Sequence, residues 1–474
     1  MQTKAIRKSD HTRVKTSTDV FLTGAGILSL LALIYTIYVT RHVMHRYLFM
    51  YTMYTLLTIL FFASLRLRET VRAKIALVAG STIGFLFMLE IVLSVRGTEE
   101  VESMISKRAG AEGINFDLRT KYDVIKDLRE RGTDAYPSIF PYLFMTSGFS
   151  RLSENAVFSL GGISRKKTVL CNENGEYSIY EADEHGFRNP CGVFKERNVD
   201  VVMVGDSYAH GACVQQNEDI AGQLRLRGRK VLNLGMMGNG PLLEMAAMRE
   251  YAETFKPRHV LWFYCERNDL LELSRERKLP FLMKYLEGGF SQNLRERQAE
   301  IDRALGAFLE EEIQGEREKA ENNERLDWKS ARIVRLKNLR TFLKSPRSST
   351  VRYLRPSDFL PQESELDLFK EILMKALDVT SSWGGQMYFV YLPELQRYTN
   401  EVDHDLYLGR DRVLSIVGNL EVPIIDIHEL FLSNTDPPSF FPFRIFPHYT
   451  PEGYRLIAEE IDKFLRQETA GNLS

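Results

Sequence analysis

The chain predicts an α/β protein built on a parallel sheet and carried behind three apolar helices of membrane-spanning length. Short apolar runs begin near residues 201, 231, 260, 386 and 422, each followed by a segment of helical spacing. The first three of those runs end in polar or glycine-rich clusters, and three nearly uncharged stretches fill the first hundred residues. Alternation of strand and helix marks a parallel sheet with helices on both faces, since each parallel crossover needs a helix to return. Ligands of such sheets bind at the carboxyl ends of the strands.

Residues 20–40 and 47–65 carry no charge and residues 75–95 contain only Glu90, so each run is about the length that crosses a bilayer as a helix. A cleaved signal peptide fits poorly, because no small-residue cleavage site follows the first run and two further runs come after it. Lys4, Arg7, Lys8, Arg13 and Lys15 precede the first run, and Arg66, Arg68, Arg72 and Lys74 lie between the second and third. The first loop holds only Arg41 and Arg46, with His42 and His45. The excess of basic residues puts the N-terminus and second loop in the cytoplasm and everything after residue 96 outside it. Tyr35, Tyr38, Tyr47 and Tyr51 are then expected at the outer interface, with Glu90 snorkelling near the outer end of the third span.

The organisation expected from these patterns is a membrane domain over 1–97, a connecting region with short strands over 98–195, an α/β domain over 196–466 and a tail over 467–474. A charged insertion at 272–352 interrupts the α/β domain. Ile301, Leu305, Phe308, Leu309 and Ile313 follow helical spacing within it, which fits a solvated helical hairpin beside the core or a lid or partner-docking arm. Lys and Arg number 62 against 63 Asp and Glu, and neither a basic stripe nor an RNA-binding motif is present, which argues against nucleic acid. Cys171, Cys191, Cys213 and Cys265 would lie in an oxidising compartment under this topology. Cys171 and Cys191 flank a hairpin-like stretch and can pair if the register allows, while Cys213 and Cys265 read as small buried residues. No Cys/His spacing resembles a metal site, so no metal or other cofactor is expected.

Chemistry concentrates where the runs end. Val201-Val202-Met203-Val204 leads into Gly205-Asp206-Ser207 at the start of a helical segment, where a serine hydroxyl points out of the sheet edge and its N–H can hold an oxyanion. Asp206 is expected to hold the turn, and His210 to line the mouth of the site. Val231-Leu232-Asn233-Leu234 breaks into the glycine-rich Gly235 to Gly240, and Val260 to Tyr264 leads into Glu266-Arg267-Asn268-Asp269. Gly238 otherwise reads as a turn glycine, and Asn268 as a helix cap. His448 precedes Thr450 and Pro451, an N-cap and N1 pair that opens a last helix buried through Tyr454, Ile457, Ile461 and Phe464. Asp426 and His428 follow the fifth run and read as rim residues.

In these four blocks the chain resembles the SGNH, or GDSL, hydrolase superfamily over about residues 196 to 466. The resemblance implies a three-layer, flavodoxin-like parallel sheet. It makes Ser207 the nucleophile and His448 the general base and then acid, with the oxyanion hole formed by the N–H groups of Ser207 and Gly238 and the Asn268 carboxamide. Glutamate at 266 stands where the family has glycine. Ile445 stands where it has the aspartate, three residues before the histidine, that orients the imidazole. Backbone carbonyls, Glu452 or Asp436 are the candidates to replace it. The phrases around Cys171 to Tyr177 and Asp183 to Pro190 resemble a lead-in of membrane-anchored bacterial members, which either walls the site or only packs.

The function so implied is a membrane-anchored, extracytoplasmic serine esterase or O-acyltransferase forming an acyl-enzyme at Ser207, with an acylated cell-surface or exported polysaccharide, or a lipid ester, as substrate. The alternative, favoured by Ile445 and Glu266, is a catalytically silent scaffold of the same fold that binds a glycan or a membrane-bound polysaccharide-assembly partner.

Overall fold

The computed structural model describes residues 2–40, 48–147, 157–196, 198–324, 361–399 and 408–471. The expectations placed on Arg41, His42, His45, Arg46 and Tyr47, on positions 325–352 of the insertion, and on 472–474 lie outside the described residues. The chain divides into two compact units, the first running to Gly97 and the second beginning at Thr98.

Helices Gln2–Thr40 (α1), Leu48–Ser64 (α2) and the part of Glu69–Ala111 (α3) up to Gly97 supply the first unit. Among the described residues two segments are long and apolar enough to cross a membrane, Ser17–Ile37 and Glu69–Val92. Three helices of spanning length were expected, and two are found. The described part of α2 has 17 residues, or about 25 Å at a helical rise of 1.5 Å, against the roughly 30 Å of a bilayer core. It is stopped by a turn in which the N–H groups of Arg66 and Leu67 reach back to the carbonyls of Ala63 and Ser64. Large apolar side chains on α1 and α3 point outward, with Leu28 69% and Leu77 73% exposed. Such surface is stable against lipid and costly against water. Glu90 is fully buried, not snorkelling.

The second unit is organised by a five-stranded, wholly parallel sheet. Its strands are Val201–Val204 (β4), Val231–Asn233 (β5), His259–Cys265 (β6), Gln386–Leu392 (β7) and Ile424–Asp426 (β8), in the order β5-β4-β6-β7-β8. A smaller sheet precedes it, formed by Ala135–Pro137 (β1), Lys167–Val169 (β2) and Ile179–Glu181 (β3). Strand alternation divides the core into two layers. Val202, Val204, Val260, Trp262, Phe389 and Tyr391 face one cluster, and Val201, Met203, Leu261, Phe263, Tyr388 and Val390 face the other. Both faces are apolar because both are covered, which is why these strands read as unbroken apolar runs.

Helices Pro241–Ala247 and Glu363–Ser382 pack on the first face, and Ile220–Leu226 and Pro451–Gly471 on the second. Ile301, Leu305 and Leu309 of helix Gln298–Glu324 are buried in the first cluster, so the start of this helix packs against the core. Chain order places β4 between an edge strand reached first and the strand reached next. The path therefore reverses at β4, and the crevice at such a reversal is where open parallel sheets take ligands.

Candidate active site

Ser207 begins the four-residue helix Ser207–His210 directly after β4. Asp206 caps it by accepting a hydrogen bond from Tyr208 N at 2.9 Å, so the acid before the serine holds the turn. Two glycines allow the close packing this needs. A Cβ on Gly205 would lie 2.7 Å from Ala209 Cβ, and one on Gly235 would meet the same atom at 2.6 Å. The loop after β5 thereby lies against the serine helix. In that loop Gly238 adopts φ +72°, a left-handed conformation, with Tyr142 filling the space a side chain would take. Asn268 occupies the N-cap position of helix Asp269–Glu276 but makes no capping side-chain bond. Its side chain lies close enough to the Asp206 carboxyl to help lower that group's pKa, which brings the residue to the nucleophile turn. Ser207, Gly238 and Asn268 thus follow the carboxyl ends of three adjacent strands.

His448 reaches the same point from the far end of the chain. Thr450 accepts a hydrogen bond from Gly453 N at 3.2 Å and starts helix Pro451–Gly471. Tyr208 OH donates to Pro447 O at 2.7 Å, which clamps the histidine loop to the serine helix. His448 Nε2 lies 2.9 Å from Ser207 Oγ. On the other side of the ring, Nδ1 lies 2.9 Å from Glu173 Oε1, and the His448 N–H donates to Glu173 Oε2 at 3.2 Å. The chain of contacts is serine, imidazole, carboxylate.

Glu173 comes from the loop between β2 and β3, and nothing in the sequence had singled it out. The two acids that the sequence offers for this place are engaged elsewhere: Asp436 pairs with Arg444 at 2.5 Å and Glu452 with Arg455 at 2.6 Å. Ile445 lies in an apolar cluster with Ala109, Phe443 and Phe446. Glu266 is also accounted for. It pairs with Arg397 at 2.5 Å, accepts from Tyr391 OH and from Glu394 N, and so ties the ends of β6 and β7 together.

Burial works to lower the His448 pKa, but the Glu173 charge and hydrogen bond, with Asp206 behind them, outweigh it and hold the imidazole above its ordinary value. Asp206 is raised, chiefly by burial. His210 does not line the mouth as expected. It is fully buried, its Nε2 lies 3.0 Å from Tyr180 OH, and burial, with help from Arg188 and His448, drives its pKa down to about 3, so it stays neutral. His428 sits 2.9 Å from Tyr398 OH, and Asp426 caps the following turn through His428 N.

The lead-in is part of the site as well as of the packing. Asp183 gathers the N–H groups of His185 and Phe187 and the Asn189 amide, and Asn189 in turn accepts from Asn233 N at 2.8 Å at the end of β5. Cys171 is bonded to Cys213, not to Cys191, which is exposed and free, while Cys265 is buried and free. Glu173, Cys213 and His448 bring their polar atoms within 4.8 Å of one another. With the Cys213 sulfur in a disulfide that group has no thiolate to offer, so it does not suit a metal ion.

The chain resembles solved lipolytic and esterase structures. A protein assigned to the G-D-S-L lipolytic family from Desulfitobacterium hafniense is 12% identical, covering 56% of this chain and 99% of its own, with a TM-score of 0.32. An assigned acylhydrolase from Bacteroides fragilis is 10% identical over 57% of this chain and 88% of its own, with a TM-score of 0.30. An acetyl xylan esterase is 11% identical over 56% and 98%, with a TM-score of 0.29. No family model and no curated protein matches the chain.

Proposed function

We propose that the second unit is an SGNH-type serine esterase or O-acyltransferase with Ser207 as nucleophile. One observation carries the reading: Ser207 Oγ, His448 Nε2 and Nδ1, and Glu173 Oε1 form a continuous line of contacts of 2.9 Å each. In this reading His448 Nε2 takes the Ser207 proton as Oγ attacks an acyl carbonyl, while Glu173 fixes the tautomer and steadies the imidazolium. The N–H groups of Ser207 and Gly238 and the Asn268 carboxamide hold the tetrahedral oxyanion. The imidazolium then protonates the leaving alkoxide. Water attacking the acyl-enzyme gives hydrolysis, and a sugar hydroxyl gives transfer.

The β5-β4-β6-β7-β8 order with helices on both faces supports the flavodoxin-like layering of that superfamily. Region 98–195 then works with 196–466 as one functional domain, since it supplies Glu173. Outward apolar side chains on Ser17–Ile37 and Glu69–Val92 support a membrane anchor. The Cys171–Cys213 disulfide supports an oxidising, extracytoplasmic location for the second unit. An acylated cell-surface or exported polysaccharide is the substrate class we favour. The scaffold reading rested on Ile445 and Glu266. Glu173 fills the role Ile445 leaves open, and Glu266 has a structural duty of its own.

The test is fluorophosphonate labelling of the detergent-solubilised protein, comparing wild type with Ser207→Ala and His448→Ala. Labelling of wild type and its loss in both variants supports the assignment. A folded wild type that takes no label refutes it.

A further inference from the structure

We propose that the Cys171–Cys213 disulfide is the device that holds Glu173 against His448, so that acyl transfer at Ser207 runs only in the oxidised protein; this rests on the serine-hydrolase reading above. Cys171 lies two residues before Glu173 and Cys213 six after Ser207, and the bridge joins them at a Cα–Cα distance of 4.9 Å. The covalent link therefore runs between the loop that carries the acid and the segment that carries the nucleophile. It also touches the base, since Cys213 Sγ is 3.9 Å from His448 Nδ1.

The remaining ties between the two segments are hydrogen bonds. Asn174 Nδ2 donates to Cys213 O at 3.0 Å, Ser178 Oγ to Val214 O at 2.5 Å, and Gln215 Nε2 to Tyr177 O at 3.0 Å. Each is worth only about 1 kcal/mol net. Among the described residues the side-chain bonds of Glu173 run to the Nδ1 and N–H of His448, so the acid follows its loop when the loop moves. A dithiol reductant delivers two electrons and two protons to the Sγ–Sγ bond, which breaks to leave two thiols while the reductant closes its own disulfide. Two thiols require van der Waals separation, and that pushes the acid-bearing loop away from the serine segment. A shift of about 1 Å in a catalytic array costs on the order of 10²-fold in rate. An enzyme so built stays idle in the reducing cytoplasm and is armed after export.

The full chain in detergent micelles tests this, with hydrolysis of an aryl acetate and fluorophosphonate labelling measured across pH. Reduction of wild type with dithiothreitol is expected to lower kcat by about 10²-fold, and oxidised glutathione restores it. Cys191→Ser shows the same sensitivity, because Cys191 is outside the bridge. The Cys171→Ser/Cys213→Ser variant starts at the reduced rate and ignores reductant. Its acid limb is displaced towards lower pH as in Glu173→Gln, and the variant that also carries Glu173→Gln is no slower than Glu173→Gln alone, as expected for one shared interaction. Retention of the oxidised rate and pH profile, by reduced wild type or by a folded variant without the two cysteines, overturns the proposal. Should that variant fail to fold, the reduced and reoxidised wild type decides. Oxidised wild type that neither hydrolyses nor labels overturns the serine-hydrolase reading itself.

Discussion

Glu173 Oε1 stands 2.9 Å from His448 Nδ1 although 275 residues of chain separate them. The pair forms where a loop of the small sheet meets the loop before the last helix. Removing the charge while keeping the shape, Glu173→Gln, is expected to lower kcat by up to about 10⁴-fold, the effect of neutralising the acid of a serine triad. The sign of the accompanying pH change follows from the forces on His448. Burial lowers its pKa and Glu173 raises it, with the net effect upward. Wild-type kcat/KM therefore gains activity as pH rises through a pKa above the ordinary histidine value, as His448 becomes the neutral base. In Glu173→Gln burial acts unopposed by that carboxylate, and the acid limb moves to lower pH. An unchanged limb would assign Glu173 a purely structural part.

Restoring aspartate at 445 is not expected to rescue that variant. Ile445 is buried with Ala109, Phe443 and Phe446, and Phe116 stacks on Phe446 with ring centroids 6.1 Å apart. An aspartate there loses apolar burial and buries a charge, at a cost of about 3 kcal/mol. Ile445→Asp should melt lower than wild type, and Glu173→Gln/Ile445→Asp should be no more active than Glu173→Gln. Recovery of activity in the double variant would mean that position 445 can face the imidazole.

The contrast between these two positions explains what could be read from sequence. Ser207, Gly238, Asn268 and His448 each sit in a local pattern, a strand end or a helix start, whose chemistry is visible within a few residues. Glu173 has no such pattern. Its role depends on which loop tertiary packing lays against His448, and its neighbours Asn172 and Asn174 mark only a turn. The disulfide was hidden for the same reason: Cys171 and Cys191 flank a hairpin in sequence, yet the loop after the serine helix brings Cys213 to Cys171. All five strands of the parallel sheet were legible because burial on both faces leaves unbroken apolar runs. The C-terminal end of α2 was not, because the apolar run over 47–65 carries past Ser64, where the helix closes in a turn.

Asn268 separates an oxyanion donor from a helix cap. It sits at the N-cap of Asp269–Glu276 without making the capping bond, so Asn268→Ala should cost less stability than the roughly 1 kcal/mol of a working cap. Loss of one oxyanion donor should instead reduce kcat by about 10²- to 10³-fold with little change in KM. Steady-state kinetics on an aryl acetate and a thermal melt of the same preparation check both. A large fall in melting temperature with kcat intact would return Asn268 to a structural role.

Glu276 holds the helix that follows the Gly238 loop. Helix Pro241–Ala247 has Gly240 at its N-cap and no side chain there to satisfy its first N–H groups. Glu276 supplies the missing acceptors, taking Gly240 N at 2.6 Å and Leu242 N at 2.9 Å. Glu276→Ala leaves two buried donors unpaired, at about 1–3 kcal/mol each. The loop through Gly238 should loosen with them, so fluorophosphonate labelling should slow as well. Burial raises the Glu276 pKa to about 8, against the two N–H donors that favour its charged form. The folded protein thus keeps a proton that the unfolded chain releases near the ordinary glutamate value. Stability from this group is complete below that value, falls as pH rises from it to about 8, and is level above. Glu276→Gln retains an acceptor but cannot ionise, so its melting temperature should vary less with pH over that window than wild type. Equal slopes in the two proteins would show that Glu276 is already charged in the fold and that its two N–H donors outweigh burial.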